Sequence, residues 1–273
     1  MKRGLFAGYV IALALLYIAV PATTAQDSTG IDPEALIDRI LSVQRQQRAE
    51  VHDVIFDAEY IEGDQKDDGF HEKVRFEKRI YLKFLPDTVL FHEEYLAYYK
   101  DGKLQSEKDL RKQAAERMAK KKKRHMRDIS YPMLTPFYPE ERALYDITYK
   151  GIPGESIDGY VCHHFQVKAK EESDTLINGD FYFDAETFHP VRIDFSPAKL
   201  VRKMMFRLSE LNMSLTYGPT GDDNIWLPRQ FHLEGKGRAG LLFGVHFGGT
   251  EYYRNPIINS GVSEDIFKGD TDE

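Results

Sequence analysis

The chain has 273 residues, a formal net charge of −7 at pH 7 and 42% hydrophobic residues. This acidic balance excludes general nucleic-acid binding, and the length suffices for one large domain with a packed core. The single cysteine, Cys162, cannot form a disulfide within the chain, so a packed core must stabilise the fold.

The first 25 residues have the pattern of a secretory signal peptide. Lys2 and Arg3 precede an apolar run from Leu5 to Val20, and small residues lead to Ala25, after which we expect cleavage. A retained, tilted anchor is the alternative, although the run is shorter than the roughly 20 residues that span a bilayer core. No cysteine follows the run for lipid attachment. We therefore expect a periplasmic protein whose mature charge is more negative, since both cations are removed.

A helix is the first predicted element, after a polar leader at residues 26–31. The sequence "DPEALIDRILSVQRQQ" begins with Asp32 as N-cap and Pro33 at the first helical position. Its apolar residues recur at helical spacing. They are Leu36, Ile37, Ile40 and Leu41.

The hydrophobic period then changes to two, which indicates strands. The first strand carries Val54, Phe56, Ala58 and Tyr60. A second follows the turn signal Asp68-Gly69, with the alternating residues Val74, Phe76, Ile80, Leu82 and Phe84. A third candidate strand runs from Val89 towards Asp101-Gly102.

A basic segment interrupts the strands as a helical insertion at about residues 103–127. It lacks glycine and proline and is rich in good helix formers, but its apolar stripe is thin, so we expect it on the surface. The cations Lys120, Lys121, Lys122, Lys123 and Arg124 are candidates for docking at an anionic membrane or a partner. A solvated helix without a further task and an acidic protein partner are the alternatives.

Most of the remaining chain is predicted to be β-structure. Three prolines mark the irregular connector "SYPMLTPFYPEERALYDITYKG", and from Ile157 onward alternating strands are separated by short turns. Short connections favour an antiparallel sheet, and so many strands must curl because strands twist. The predicted class is mainly β (α+β), with the N-terminal helix covering the concave side of the sheet.

That concave side is a candidate lipid cavity. Its apolar residues either surround a hollow or fill a closed barrel, and alternation does not separate the two. The cavity candidates are Leu36, Ile40, Val54, Phe56, Phe76, Ile80, Leu82, Phe181, Phe183, Ile193 and Phe195.

Patterns typical of catalysis or metal binding are weak in this sequence. In Cys162-His163-His164, the two histidines point to opposite faces of a strand and cannot bind one ion together. Ser156 lacks the glycines and the strand-turn-helix context of a nucleophile elbow. The glycines of "GKGRAGLLFGVHFGG" fit no nucleotide fingerprint and indicate bends or bulges. We therefore predict no enzyme, no metal and no cofactor.

Several segments, in this order, resemble the outer membrane lipoprotein-sorting proteins, the LolA- and LolB-like lipoprotein carriers. They are "DPEALIDRIL", "PFYPEERALYDITYKG", "SIDGYVCHHFQVKAK", "FYFDAETFHPVRIDF" and "NSGVSEDIF". The resemblance implies a half-open antiparallel β-barrel with a helical lid, whose apolar interior holds the acyl chains of a lipoprotein. It implies one such domain at residues 32–268, followed by an acidic tail at 269–273.

The functional hypothesis is therefore a periplasmic, non-enzymatic carrier of lipid or lipoprotein acyl chains. The alternative is a sensor or regulatory binding protein of the same fold that contacts a membrane-bound partner.

Overall fold

The computed structural model describes residues 31–86, 88–123, 134–200, 202–203, 206–221, 225–240 and 243–268. The predicted signal peptide and acidic tail lie outside them. Helix α1 spans Pro33–Glu50, and the Asp32 side chain accepts a hydrogen bond from the Glu34 N–H at 3.0 Å, as an N-cap does. The predicted opening helix and its cap are present.

Three long strands follow α1 as a meander: β1 (Asp53–Lys66), β2 (Gly69–Phe84) and β3 (Val89–Lys100). Gly69 has φ +122° at the predicted hairpin turn, a conformation that favours glycine. A two-residue strand β4 (Lys103–Leu104) then pairs with the end of β3.

Helix α2 (Glu107–Lys123) forms within the predicted basic insertion. Its first turn is capped by Ser106, whose hydroxyl accepts from the Asp109 N–H at 3.2 Å and donates to the Asp109 carboxylate at 2.6 Å. Residues 124–127 of the predicted insertion lie outside the described part of the chain.

The proline-rich connector contains more regular structure than its sequence indicates. A 3-10 helix (Thr135–Phe137) and the short helix α3 (Pro139–Arg142) precede strand β5 (Tyr145–Gly151). Tyr145, Ile147 and Tyr149 alternate with polar residues along this strand. Its backbone pairs with the next strand in the chain.

The second half of the chain supplies seven strands and a final helical turn. They are β6 (Cys162–Ala169), β7 (Ile177–Asp184), β8 (Pro190–Pro197), β9 (Arg202–Lys203), β10 (Phe206–Thr220), β11 (Ile225–Ala239), β12 (Phe243–Ile258) and α4 (Asp265–Lys268).

All described strands belong to one antiparallel sheet in the order β4-β3-β2-β1-β12-β11-β10-β8-β7-β6-β5, with β9 paired to β10. Strands β4 and β5 stand at the two edges and do not pair with each other, so the sheet is open. The predicted mainly β class and the open antiparallel sheet are confirmed.

Contacts from the C-terminal segment hold β1 beside β12. The Asp53 carboxylate accepts hydrogen bonds from the backbone N–H groups of Ser260 and Gly261 at 2.8 and 3.0 Å. Among residues 31–123 and 134–268 that are described, no helix combines the length and hydropathy needed to cross a bilayer.

We call the face that α1 covers the inner face of the sheet. Two packed clusters lie on it. The larger one joins α1 and the 3-10 helix to β5–β8, β10 and the start of β11, and the smaller one joins β1 and β2 to Ile225 and Leu227 of β11. The end of the sheet that holds the start of β10, the end of β11 and the start of β12 lies beyond both clusters.

Candidate functional site

Four of the predicted cavity residues lie in the larger cluster on β7 and β8. Phe181, Phe183 and Ile193 are fully buried, and Phe195 is 6% exposed. The ring of Phe137, from the 3-10 helix, meets Phe181 and Phe183 edge to face at centroid distances of 5.1 and 5.6 Å. These side chains contact one another and the covering helices.

Helix α1 supplies two further candidates to the same cluster. Ile40 is fully buried and Leu36 is half-buried. Gln47 holds the helix to the sheet, because its amide accepts from the Trp226 N–H at 2.8 Å and donates to the Trp226 carbonyl at 2.9 Å. The helix thus covers the inner face through apolar contacts and through the two hydrogen bonds between Gln47 and the Trp226 backbone.

The remaining candidates lie on β1 and β2. Val54, Phe56, Ile80 and Leu82 belong to the smaller cluster and are at most 3% exposed. Phe76 is also buried and stacks on Tyr98 at a centroid distance of 4.9 Å. The structure therefore places every predicted cavity residue on the covered inner face or on its helix, in two groups.

From the edge of the larger cluster, where Met213 and Phe231 pack, the inner face carries a run of half-buried apolar side chains towards the start of β10, the end of β11 and the start of β12. Cross-strand pairing brings these side chains together, because Met213 lies opposite Leu233, and Gly235 lies between Leu211 and Phe247. We call this run the apolar strip. Its members are Leu208, Leu211, Met213, Phe231, Leu233, Val245 and Phe247.

Glycines shape the strip. A β-carbon on Gly235 would lie 2.4 Å from Cζ of Phe247, and one on Gly237 would lie 2.4 Å from the Arg207 carbonyl oxygen. Both positions thus require a glycine for close approach, and the register shifts between Leu208 and Glu210 beside Gly237. This bulge lies on β10 opposite Gly237, and the absence of a β-carbon on Gly235 leaves room for the Phe247 ring against the sheet.

A cleft of about 1010 Å³ lies at the outer end of the strip. Its apolar lining includes Leu208, Val245 and Phe247, and Arg207 and Arg238 also line it. The volume is at the upper end of the roughly 300–1,000 Å³ found for small-molecule sites. Sequence reasoning assigned these strands but missed the cleft, because alternation shows which side chains share a face and not where that face is uncovered.

A buried group of charges separates the smaller cluster from the strip. The Lys78 ammonium contacts the carboxylates of Glu93 and Glu251, and the Tyr95 and Tyr253 hydroxyls donate to these carboxylates at 3.0 and 3.2 Å. Burial acts to lower the pKa of Lys78, but the two carboxylates outweigh it and raise the pKa. Lys78 is therefore charged at neutral pH.

Helix α2 is held to the sheet by one arginine. The Arg117 guanidinium donates to the Glu62 carboxylate at 2.8 Å and lies 4.5 Å from the centroid of the Phe76 ring. The pKa of Tyr60 is raised to about 12, mainly by burial and also by the charge of Glu62. The docking candidates Lys120 to Lys123 lie in the last helical turns, and Arg124 lies outside the described residues.

The histidines beside Cys162 occupy opposite faces, as the strand period predicts. His163 pairs with the Tyr149 hydroxyl at 2.9 Å, whereas His164 pairs with the Asp180 carboxylate at 2.7 Å. Burial raises the pKa of Cys162 to about 12, with a smaller contribution from Asp184. Within the described residues, no three His, Cys, Asp or Glu side chains are placed to bind a metal ion.

A second depression, of about 750 Å³, lies around the polar side chains of β6–β8, β10 and β11. Its carboxylates are already paired: Asp180 contacts His164, and Asp194 accepts from Arg192 at 2.9 Å. Ion pairs on a solvated face account for this arrangement.

No family model matches the sequence, and no curated protein matches it. Among solved structures, a DUF1329 family protein from Desulfovibrio piger is 16% identical, with 87% of this chain and 98% of that chain covered and a TM-score of 0.43. A putative outer membrane lipoprotein-sorting protein domain from Vibrio parahaemolyticus is 12% identical, with coverages of 85% and 97% and a TM-score of 0.39.

A LolA superfamily protein from Nitrosomonas europaea is also similar. It is 10% identical, with 85% of this chain and 96% of that chain covered and a TM-score of 0.36. The last two proteins carry names from the group that the sequence resembles.

Proposed function

We propose that this protein is a periplasmic, non-enzymatic carrier that binds lipid or lipoprotein acyl chains on the inner face of its open sheet. The observation that carries the proposal is the apolar strip, which continues the inner face beyond the packed clusters and ends in the cleft. Burying acyl chains requires apolar area, at roughly 25 cal/mol per Å², and no reactive group. The sequence resemblance to lipoprotein carriers supports the same function.

In this proposal, an acyl chain first contacts Leu208, Val245 and Phe247 in the cleft and then lies along the strip. Displacement of α1 exposes the inner face that the helix covers and so extends the binding surface. The predicted residues for this extended surface are Leu36, Ile40, Val54, Phe56, Phe76, Ile80, Leu82, Phe181, Phe183, Ile193 and Phe195. No cofactor takes part.

The basic end of α2 is proposed to assist at membranes or partners. Lys120 to Lys123 and Arg124 supply five consecutive positive charges, and cations of this kind are attracted to anionic lipid headgroups. Arg117 keeps the helix on the sheet through Glu62, so Lys120 to Lys123 belong to an anchored helix.

Uptake of a fluorescent fatty acid tests the proposal. Val245→Asp places a charge on the half-buried strip and should weaken uptake by roughly tenfold or more, because burying an unpaired charge is costly. Ile257→Asp is the matched control, since Ile257 is also an apolar residue of β12, is 55% exposed and does not line the cleft. Equal uptake by both variants, or none by the unmodified protein, would contradict the proposal.

Positions in the packed cluster suit this test less well. Ile193 is fully buried, so a charge there would report on folding rather than on ligand contact. Circular dichroism of the Val245 variant provides the folding control.

The alternative from the sequence is a sensor or regulatory binding protein that contacts a membrane-bound partner. A purified protein that takes up no fatty acid yet binds the periplasmic part of a membrane protein would favour that alternative.

A further inference from the structure

Three arginines occupy one cross-strand row at the turn end of β9–β11. Arg202 of β9 pairs in register with Arg207 of β10, and Arg207 pairs with Arg238 of β11. Like charges directly opposite each other destabilise a sheet. Arg207 and Arg238 are exposed, and neither forms an ion pair with another residue in the described parts of the chain. These two arginines are thus uncompensated positive charges in a protein of net charge −7.

A large apolar side chain stands at the same end. Phe243, the first residue of β12, is 73% exposed, the highest value among the large apolar side chains that the structure describes. It pairs in register with Ala239, one position beyond Arg238 on β11, and its side chain therefore belongs to the opposite face from the arginines. This end of the sheet is basic on one face and apolar on the other.

We infer that the turn end of β9–β12 docks on the surface of an anionic lipid bilayer. Arginines near such a surface are attracted to the headgroups, while an exposed aromatic ring enters the interface between headgroups and acyl chains. An acidic protein would complement the arginines but would leave Phe243 exposed unless it also offered an apolar pocket. A bilayer supplies both environments in one surface.

This docking surface is distinct from the basic end of α2. Docking through it does not require a bound acyl chain. Arg207 and Arg238 are also among the residues that line the cleft, so the cleft lies at the same end of the sheet as the docking surface. The inference nevertheless stands without the proposed carrier function, because the protein can bind a vesicle whether or not it removes a lipid from it.

Co-sedimentation of the purified protein with vesicles tests the inference. We expect binding to vesicles of phosphatidylcholine with one-third phosphatidylglycerol, and little binding to pure phosphatidylcholine. Arg207→Gln/Arg238→Gln should weaken the partition coefficient about 25-fold, at about fivefold for each charge. The matched control Arg229→Gln/Arg254→Gln removes two exposed charges from elsewhere on β11 and β12 and should change binding by less than threefold.

Tryptophan fluorescence of the Phe243→Trp variant reports whether this end of the sheet enters the membrane. The chain has one tryptophan, Trp226, which is 3% exposed, so a blue shift of the added fluorescence on anionic vesicles comes from position 243. Equal binding to both vesicle types, an equal loss in the control variant, or no blue shift would overturn the inference. So would a loss of binding on neutralising Lys120 to Lys123 alone with none on neutralising Arg207 and Arg238. Fatty-acid uptake is measured in a separate assay, and its result does not change what vesicle binding says about docking.

Discussion

The ring of Phe247 on β12 occupies the space in which a β-carbon on Gly235 of β11 would lie. Such a β-carbon would be 2.4 Å from Cζ and 2.9 Å from both Cε atoms of the ring. Because glycine has no β-carbon, the ring can remain against the sheet at the edge of the cleft. The shape of the proposed ligand site therefore depends on this pair.

Gly235→Val should displace the Phe247 ring and lower fatty-acid affinity about three- to tenfold. Overpacking of this kind costs typically 1–3 kcal/mol, so we also expect a lower unfolding midpoint. Gly154→Val is the control, because nothing lies within 4 Å of its β-carbon position and it does not line the cleft. Fluorescence titration and urea unfolding measure the two effects, and equal affinities for both variants would contradict the role of the pair.

Lys78→Met should destabilise the protein by about 3–5 kcal/mol. The change leaves the carboxylates of Glu93 and Glu251 buried without their cation, which is the costly way to break a buried ion pair. Lys236→Met provides the comparison, since its contact with Glu210 is exposed and screened by solvent, so losing it should destabilise the protein much less. Similar unfolding free energies for the two variants would contradict the prediction that the buried ion pairs of Lys78 stabilise the fold more than the exposed pair of Lys236.

His189 should make stability fall between pH 6.5 and 4. Burial lowers its pKa from 6.5 to about 4, with partial opposition from Asp184, and its Nδ1 has no hydrogen-bond partner among the described residues. In this window the unfolded chain binds more protons than the folded chain, so the free energy of unfolding decreases as pH decreases. At about 1.4 kcal/mol for each pKa unit, this shift contributes about 3 kcal/mol of stability, which is fully present above pH 6.5.

Urea unfolding at several pH values measures this slope. His189→Gln should flatten it. His163, whose pKa burial also lowers, should retain part of the slope in the His189 variant. An unchanged slope in that variant would assign the pH dependence to other groups.

Cys162 should be unreactive in the folded protein. Its side chain is fully buried and its pKa is raised to about 12, so the reactive thiolate is scarce at pH 8. A thiol reagent such as dithionitrobenzoate should label the protein only as fast as it unfolds. Rapid labelling of the native protein would show that the larger cluster opens readily.

Periodicity predicted the strands well because each has one covered face. Phe56 and Ala58 alternate with Asp57 and Glu59, and the structure buries both apolar residues on the inner face. Periodicity could not show that Phe137 fills the space above Phe181, because an irregular proline-rich segment has no alternation that assigns it to the core. Hollow and filled interiors therefore looked the same in the sequence.

The buried charges were missed for a different reason. Lys78 stands two residues from both Phe76 and Ile80, in inner-facing register, but charged residues within strands are usually solvated. Its partners Glu93 and Glu251 come from β3 and β12, and Glu251 is far away in sequence. Only the pairing of these strands brings the three together, although a cation at an inner-facing position was a readable signal.

Photo-crosslinking of a fatty acid that carries a photoactivatable group near its methyl end tests the central claim most directly. We expect peptide mass spectrometry to find the label on the apolar strip of β10–β12, with Leu208, Val245 and Phe247 among the modified residues. Unlabelled fatty acid should compete for the site. Absence of saturable labelling, or labelling confined to the polar depression around Asp180 and Asp194, would contradict the claim that the inner face binds acyl chains.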